Sequence, residues 1–317
     1  MKNASFKILL EDLKISFKFA LKNVISYVLA IIGVFIVAGL LLIVVAAAVF
    51  VPLVFMMGFD NMVLWFESFA LLGSAEGATV VLGIFLFALP FITPFFVATG
   101  ALFGMSREIV ESEGTTAEGV FQWFKRKFFS LAGGGIVMFL IIAGPVFLIS
   151  FGAVAVFGDQ VLNFAFISSG SASTLSPILV GLGVIWFVLS TGFLTMLFPA
   201  IIDGHSVIEA TKKSVRMSID YFDRVIGFWI AFVLLLVAFL VPMLVAVFAF
   251  PPSLGIGMAA IGIYAIPMAI FLVFVGLPAL SIGLTRVYMI LTADDEDILP
   301  EEEEPESGSG PSFVGGL

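Results

Sequence analysis

Chemistry needs ionisable or nucleophilic groups held close together, and in this chain they gather in one stretch, PAIIDGHSVIEATKKSVRMSIDYFDRV, from Pro199 to Val225. It holds the only histidine, His205, among the acids Asp203, Glu209, Asp220 and Asp223 and the bases Lys212, Lys213, Arg216 and Arg224. A soluble enzyme would use such a set for proton transfer, and Asp203 with Glu209 is a pair able to bind a cation. His205, between Gly204 and Ser206, suits a pH sensor or a ligand. No second histidine and no cysteine exists to complete a metal site, and a thiol nucleophile is excluded as well. The simpler readings are a solvated turn for His205 and a cap at the end of an apolar run for Asp203. The sequence therefore predicts no catalytic residue, no cofactor and no metal, and the protein is read as other than an enzyme.

Composition sets the elements that position this stretch. Hydrophobic residues make up 61% of the chain and charged ones 12%, with a mean hydropathy of +1.22. This is the makeup of an integral membrane protein. The apolar runs reach the roughly 20 residues a helix needs to cross a bilayer, and none shows the alternation of an outer-membrane strand. The predicted fold is all-α, a polytopic helix bundle with spans at Val24–Val51, Thr79–Gly104, Leu131–Phe157, Pro177–Ile202, Val225–Phe250 and Gly257–Leu291. Residues 1–23 form a separate amphipathic helix, 24–291 the six-span domain, and 292–317 an acidic tail.

Six spans put both termini on one side, and all 14 Lys and Arg residues fall on that side. The opposite loops, Pro52–Ala78, Gly158–Ser176 and Pro251–Ile256, carry only Asp60, Glu67, Glu76 and Asp159 as charges. The positive-inside rule then predicts a cell-membrane protein with cytoplasmic termini. A cleaved signal peptide ending near Ala46–Ala48 is the alternative for the first run, but the apolar part is too long for one. The Asn3-Ala4-Ser5 acceptor triplet would lie on the wrong side for glycosylation.

The opening stretch now reads as a surface element. Ser206 and Glu209 form a capping box after the turn residue Gly204, so a helix starts there. Ile208, Thr211, Val215, Ile219 and Phe222 make its apolar stripe, with Glu209, Lys212, Lys213, Arg216, Asp220 and Asp223 elsewhere. Glu209 with Lys213 and Arg216 with Asp220 are four-residue ion pairs. The preceding basic-side loop repeats the pattern, with Thr115 and Glu118 at capping-box spacing ahead of an aromatic, basic segment. Pro145 lies 18 residues after Lys127, and Pro242 lies 18 after Arg224. The N-terminal helix is a third copy, with Phe6, Leu9, Leu10, Leu13, Phe17 and Ala20 against Lys7, Glu11, Lys14, Lys18 and Lys22. Three repeated units are expected, each a surface helix, an outward span, a loop and an inward span.

Pro199, the aliphatic run to Asp203, the segment Ser206-Val-Ile-Glu-Ala210, the basic residues, Ser214 and the re-entry from Phe222 to Gly227 carry a resemblance. Over Phe198–Trp229 the chain resembles the membrane domain associated with glycerophosphodiester phosphodiesterases and its standalone integral membrane relatives. The resemblance implies a six-helix membrane domain and no activity. The phosphodiesterase half of some relatives, with its His and Glu metal ligands, has no counterpart here.

Inside the predicted spans Arg286 is the one ionisable residue, near the basic end of the last span. A proton relay or an intramembrane hydrolase would keep charges deeper, where each costs at least ~2.5 kcal/mol. Serines and threonines without a partner base read as packing residues, as do Gly133–Gly135, Gly100-xxx-Gly104 and Ala279-xxx-Gly283. Pro90, Pro94, Pro145, Pro242, Pro267 and Pro278 are read as packing kinks, the alternative being broken helices that line a transport site. A short helix around Trp65 is expected on the acidic side, and Ser168–Ser176 as a flexible turn. Nine acids from Asp294 to Glu306 carry the whole net charge of −9, and this tail is expected to be disordered.

Function follows from what remains. The expected partners are membrane lipids, with Lys7, Lys14, Lys18, Lys125, Arg126, Lys127, Lys212, Lys213 and Arg216 meeting headgroups at about 1 kcal/mol each. A protein partner on the cytoplasmic face or the tail is also expected, and nucleic acid is not. The leading reading is a noncatalytic membrane scaffold or partner subunit. The alternative is a transporter for a small or lipid-like solute.

Overall fold

Long apolar runs with few breakers make long helices, and where the chain departs from that rule it bends. The computed structural model describes residues 6–68, 75–112, 114–157, 175–249 and 256–296. Every regular element among them is helical: α1 (Phe6–Lys22), α2 (Val24–Met57), α3 (Phe59–Ser68), α4 (Ala75–Ser112), α5 (Ala117–Phe157), α6 (Leu175–Phe193), α7 (Leu197–Asp203), α8 (Val207–Asp220), α9 (Phe222–Ala249), α10 (Ile256–Phe271), a π turn (Leu272–Gly276) and α11 (Leu277–Glu296). The Asn3-Ala4-Ser5 triplet, Phe69, the Ser168–Thr174 part of the serine-rich loop and the tail from 297 lie outside the described residues, as do the side chains of Trp65, Phe66 and Glu67.

Six helical stretches are long and apolar enough to cross a membrane: Val24–Met57, Ala88–Ser112, Ala117–Ile149, Gly181–Asp203, Phe222–Pro242 and Gly262–Ala293. The chain is a multi-pass helical membrane bundle. α3 supplies the short helix expected around Trp65, entered by a turn at Gly58 with φ of 80°. α11 runs past the expected end at Leu291, so the acidic segment begins as helix.

The second, fourth and sixth spans form the centre. Their most apolar stretches are 50%, 67% and 33% buried in the bundle, against 22%, 11% and 22% for the first, third and fifth. Small residues allow the approach. Gly100 faces Leu131 and Phe198, Gly104 faces Trp123, Gly134 faces Ile201, Gly135 faces Phe96, and Gly283 faces Phe228 and Ser16, each without room for a Cβ. The first span shows the outer-helix pattern: Tyr27, Ala30, Ile31, Val34 and Ala38 are buried, while Ile25, Leu29, Ile32, Ile36, Leu40 and Ile43 make an exposed apolar stripe for lipid.

Two departures fall away from the six prolines read as kinks, the second of them one turn ahead of Pro199. α5 leaves helical geometry at Lys127 (φ −114°, ψ 16°), which separates a surface segment, 117–126, from the third span. The fourth span is broken between α6 and α7, at residues 194–196. By contrast, Pro90, Pro94, Pro145, Pro242 and Pro267 lie within continuous helices. Of the six prolines read as kinks, only Pro278 accompanies altered geometry among the described residues. Its missing N–H and its ring disfavour an ordinary turn, and the preceding residues widen to a π turn closed by Leu277 N–H on Leu272 O.

Candidate functional site

Three helical segments line the basic end: α1, residues 117–126 of α5, and α8. Helical periodicity divides each into three strips rather than the two expected. On α8, Ala210, Ser214, Met217 and Ser218 are buried, Ile208 and Ile219 are 68% and 60% exposed, and Glu209, Lys212, Arg216 and Asp220 form the charged strip. On α1 the buried strip is Asp12, Ser16 and Ala20, the exposed apolar strip Phe6, Leu10 and Leu21, and the charged strip Lys7, Glu11, Lys14, Lys18 and Lys22. In the α5 segment, Val120 and Phe124 are buried, Phe121 is exposed, and Glu118, Gln122, Lys125 and Arg126 are polar and exposed. Followed round in one direction, all three run buried, apolar, charged. α1 is thus seated in the bundle against α11, not laid on its surface; its predicted apolar stripe is divided between protein and exposed positions.

The buried strip of α8 completes the broken fourth span. Ser214 Oγ donates to Phe193 O at 2.8 Å and accepts from Met196 N at 3.2 Å. Ser218 Oγ reaches Phe193 O at 3.3 Å, and Thr195 Oγ1 bonds Gly192 O at 2.9 Å. Backbone groups freed inside an apolar span must find partners, and these hydroxyls are the partners.

The start of α8 is built as its sequence dictates. Gly204 takes the left-handed φ of 119° and closes α7 with its N–H on Ala200 O and Ile201 O. Ser206 N bonds Glu209 Oε2 at 3.1 Å and Glu209 N bonds Ser206 Oγ at 3.4 Å, the expected capping box. Those bonds hold the Glu209 carboxyl below its ordinary pKa. The second predicted box does not form. α5 begins at Ala117, one residue late for Thr115, whose hydroxyl donates to Glu108 Oε2 at 2.7 Å. Trp123 Nε1 binds the other oxygen of Glu108 at 2.8 Å, so Glu108 clasps the start of α5.

Asp203 is neither a cap nor half of a cation site. Arg107 Nη1 and Tyr288 Oη each donate to it at 2.8 Å, which joins the basic ends of the second, fourth and sixth spans. Arg107 also pairs with Glu111 at 2.8 Å. His205 is half-buried rather than solvated. Its Nε2 lies 2.8 Å from Lys213 Nζ, and that ammonium sits 5.1 Å from the Tyr288 ring centre. Lys213 is therefore turned inward, away from its predicted partner Glu209. The predicted Arg216–Asp220 pair is present at 3.3 Å and exposed.

Arg286 finds its counter-ion on the N-terminal helix. Asp12, 3% exposed, accepts from Arg286 Nη1 with one oxygen and from Arg224 Nη2 at 3.2 Å with the other. Sequence reasoning missed Asp12, although its spacing with Ser16 and Ala20 marks one face. A hydroxyl cluster lies above: Tyr27 Oη and Ser106 Oγ are 2.8 Å apart, and Ser106 donates to Ser281 Oγ at 2.8 Å.

Of the predicted headgroup residues, Lys7, Lys14, Lys18, Lys125, Arg126, Lys212 and Arg216 are exposed, while Lys127 and Lys213 are half-buried. No group of three or more metal-ligating side chains occurs among the described residues. Among the described residues at this end, Ser16, Ser26, Ser112, Ser214 and Ser218 each donate to a backbone carbonyl. Comparison with protein-family models, curated proteins and solved structures finds no match to this chain.

Proposed function

We propose that this protein is a noncatalytic membrane scaffold whose cytoplasmic face engages anionic lipid headgroups and, through them or beside them, a cytoplasmic partner. One observation carries the reading: α1 and α8 each set an exposed apolar strip beside a charged strip, with Phe121 holding the same place on the α5 segment, in the same rotational order, while a third strip anchors them to the bundle. An apolar strip in the acyl boundary with lysines at its edge is the arrangement by which helices lie in a membrane interface. The resemblance of Phe198–Trp229 to the phosphodiesterase-associated membrane domain agrees with it, since that domain supplies no metal ligands.

The test is lipid selection by the full chain in nanodiscs of mixed phosphatidylcholine and phosphatidylglycerol. The wild type is expected to enrich phosphatidylglycerol in the lipid it retains, and Lys7→Gln/Lys14→Gln/Lys18→Gln with Lys212→Gln/Arg216→Gln to lose that enrichment. Equal lipid composition around both would overturn the reading. Transport is the second reading, favoured by the break at residues 194–196, because discontinuous spans line solute sites in transporters. Flux of a solute panel through proteoliposomes discriminates it.

A further inference from the structure

The Asp12 cluster is unbalanced. Two guanidinium groups share one carboxylate, so one positive charge is left over in a cluster whose Asp12 and Arg224 side chains are only 4% and 8% exposed. Arg224 directs Nη2 to Asp12, and its Nε, buried in the same place, has no hydrogen-bond partner. A buried donor without an acceptor and a buried charge without a counter-ion each cost free energy, and an anion with several oxygens would relieve both. Arginine presents Nε and Nη in a planar fork that suits phosphate oxygens. The side chain of Arg286 is 25% exposed, which gives the pair an open side. Phe222, half exposed, and the exposed Leu10 and Phe6 of α1 belong to the neighbouring apolar strips, where acyl chains would run.

We propose that Arg224 and Arg286 form a binding site for a phosphate group, with Asp12 as the internal ligand that holds the two guanidiniums in place while it is empty. The group is that of an anionic lipid headgroup or free phosphate; the recognising chemistry is the same. The site uses none of the exposed lysines of the scaffold reading, so the two fail separately.

The experiment follows thermal unfolding of the full chain in a neutral detergent. It is titrated with inorganic phosphate against chloride at matched ionic strength, and separately with short-chain phosphatidylglycerol. A saturable rise of the midpoint is expected with at least one probe. Phosphate alone acting identifies a free anion, and lipid alone acting identifies a headgroup. Arg224→Lys keeps the charge but loses the fork, and is expected to weaken binding at least tenfold. Asp12→Asn removes the competing carboxylate and is expected to tighten it, the opposite of what a purely structural carboxylate predicts. Lys14→Gln/Lys18→Gln is expected to bind as wild type. The proposal is overturned by a wild type that responds to neither probe, by Asp12→Asn binding no more tightly than wild type, or by the lysine variant losing as much as Arg224→Lys. Should Arg224→Lys fail to fold, Arg286→Lys read in the same titration takes its place.

Discussion

Ser214→Ala tests whether α8 truly holds the broken span together. The side chain is fully buried and serves two backbone groups: it donates to Phe193 O at 2.8 Å and accepts from Met196 N at 3.2 Å. The two losses differ. Phe193 O keeps Ser218 at 3.3 Å, whereas Ser214 is the partner of Met196 N–H among the described residues, so one buried donor is stranded. Stranding a buried donor costs about 1–3 kcal/mol, and hydrogen bonds in membrane bundles sit toward the lower end, so about 1–2 kcal/mol is expected. Ser218→Ala alone strands nothing and should cost under about 1 kcal/mol. Together the two variants also bare Phe193 O, and the double variant should exceed the sum of the singles by about 1 kcal/mol. The assay is reversible unfolding of the full chain in mixed micelles, followed by circular dichroism. A Ser214→Ala cost within about 0.5 kcal/mol of zero, or strict additivity, would refute the account.

Other expectations test other parts of the fold. Gly283→Ala places a Cβ against the Phe228 ring and Ser16, and should cost about 1–3 kcal/mol while loosening α1, seen as faster proteolysis of the N-terminal segment. The chain has no cysteine, so single cysteines report topology: Lys212→Cys should resist an impermeant maleimide added to intact cells, and Asn61→Cys, on exposed α3, should react. Glu209 has a lowered folded pKa, so its contribution to the α8 start is full above the ordinary carboxylate value and is lost as pH falls through the folded one. The thermal midpoint of wild type should therefore exceed that of Ser206→Ala by a gap that shrinks from about pH 6 to about pH 3; a constant gap would contradict the capping box.

How much of this was readable follows from what one-dimensional patterns record. Length and hydropathy located six spans because a bilayer imposes both, and the Ser206–Glu209 box was readable because capping is local. Asp12 and Arg286 were not readable as a pair: they lie 274 residues apart, and helical periodicity alone places Asp12 beside the lysine strip without saying what it meets. The missing signal was a stripe of small or short residues four apart, Asp12-Ser16-Ala20 and Ala210-Ser214-Ser218. In lipid, helices associate through such stripes as well as through apolar faces, so a two-face reading of apolar against charged leaves out the strip that packs on the bundle. The break at 194–196 had a local signal in Pro199, which has no N–H to give Thr195 O and whose ring crowds that carbonyl, but the serines that sustain the break sit on another helix.

The two charge clusters bear on which function the fold favours. Asp203 ties the second, fourth and sixth spans through Arg107 and Tyr288, and Asp12 ties the fifth and sixth spans to α1 through Arg224 and Arg286. Withdrawing one partner from the buried Asp12 cluster costs about 3–5 kcal/mol, more than a typical coupling energy between sites, whereas the partly exposed Asp203–Arg107 pair is screened by solvent and holds less tightly. A gate that parted the spans at this end would have to break at least one such cluster in every cycle. The Asp12 cluster therefore resists parting of α1 from the fifth and sixth spans, and a transport cycle would place its bistable element elsewhere, at the break in the fourth span or at the π turn before Pro278. A scaffold carries no such requirement: a rigid end that displays three similarly ordered helical segments is what holding a partner or a lipid patch in fixed register needs.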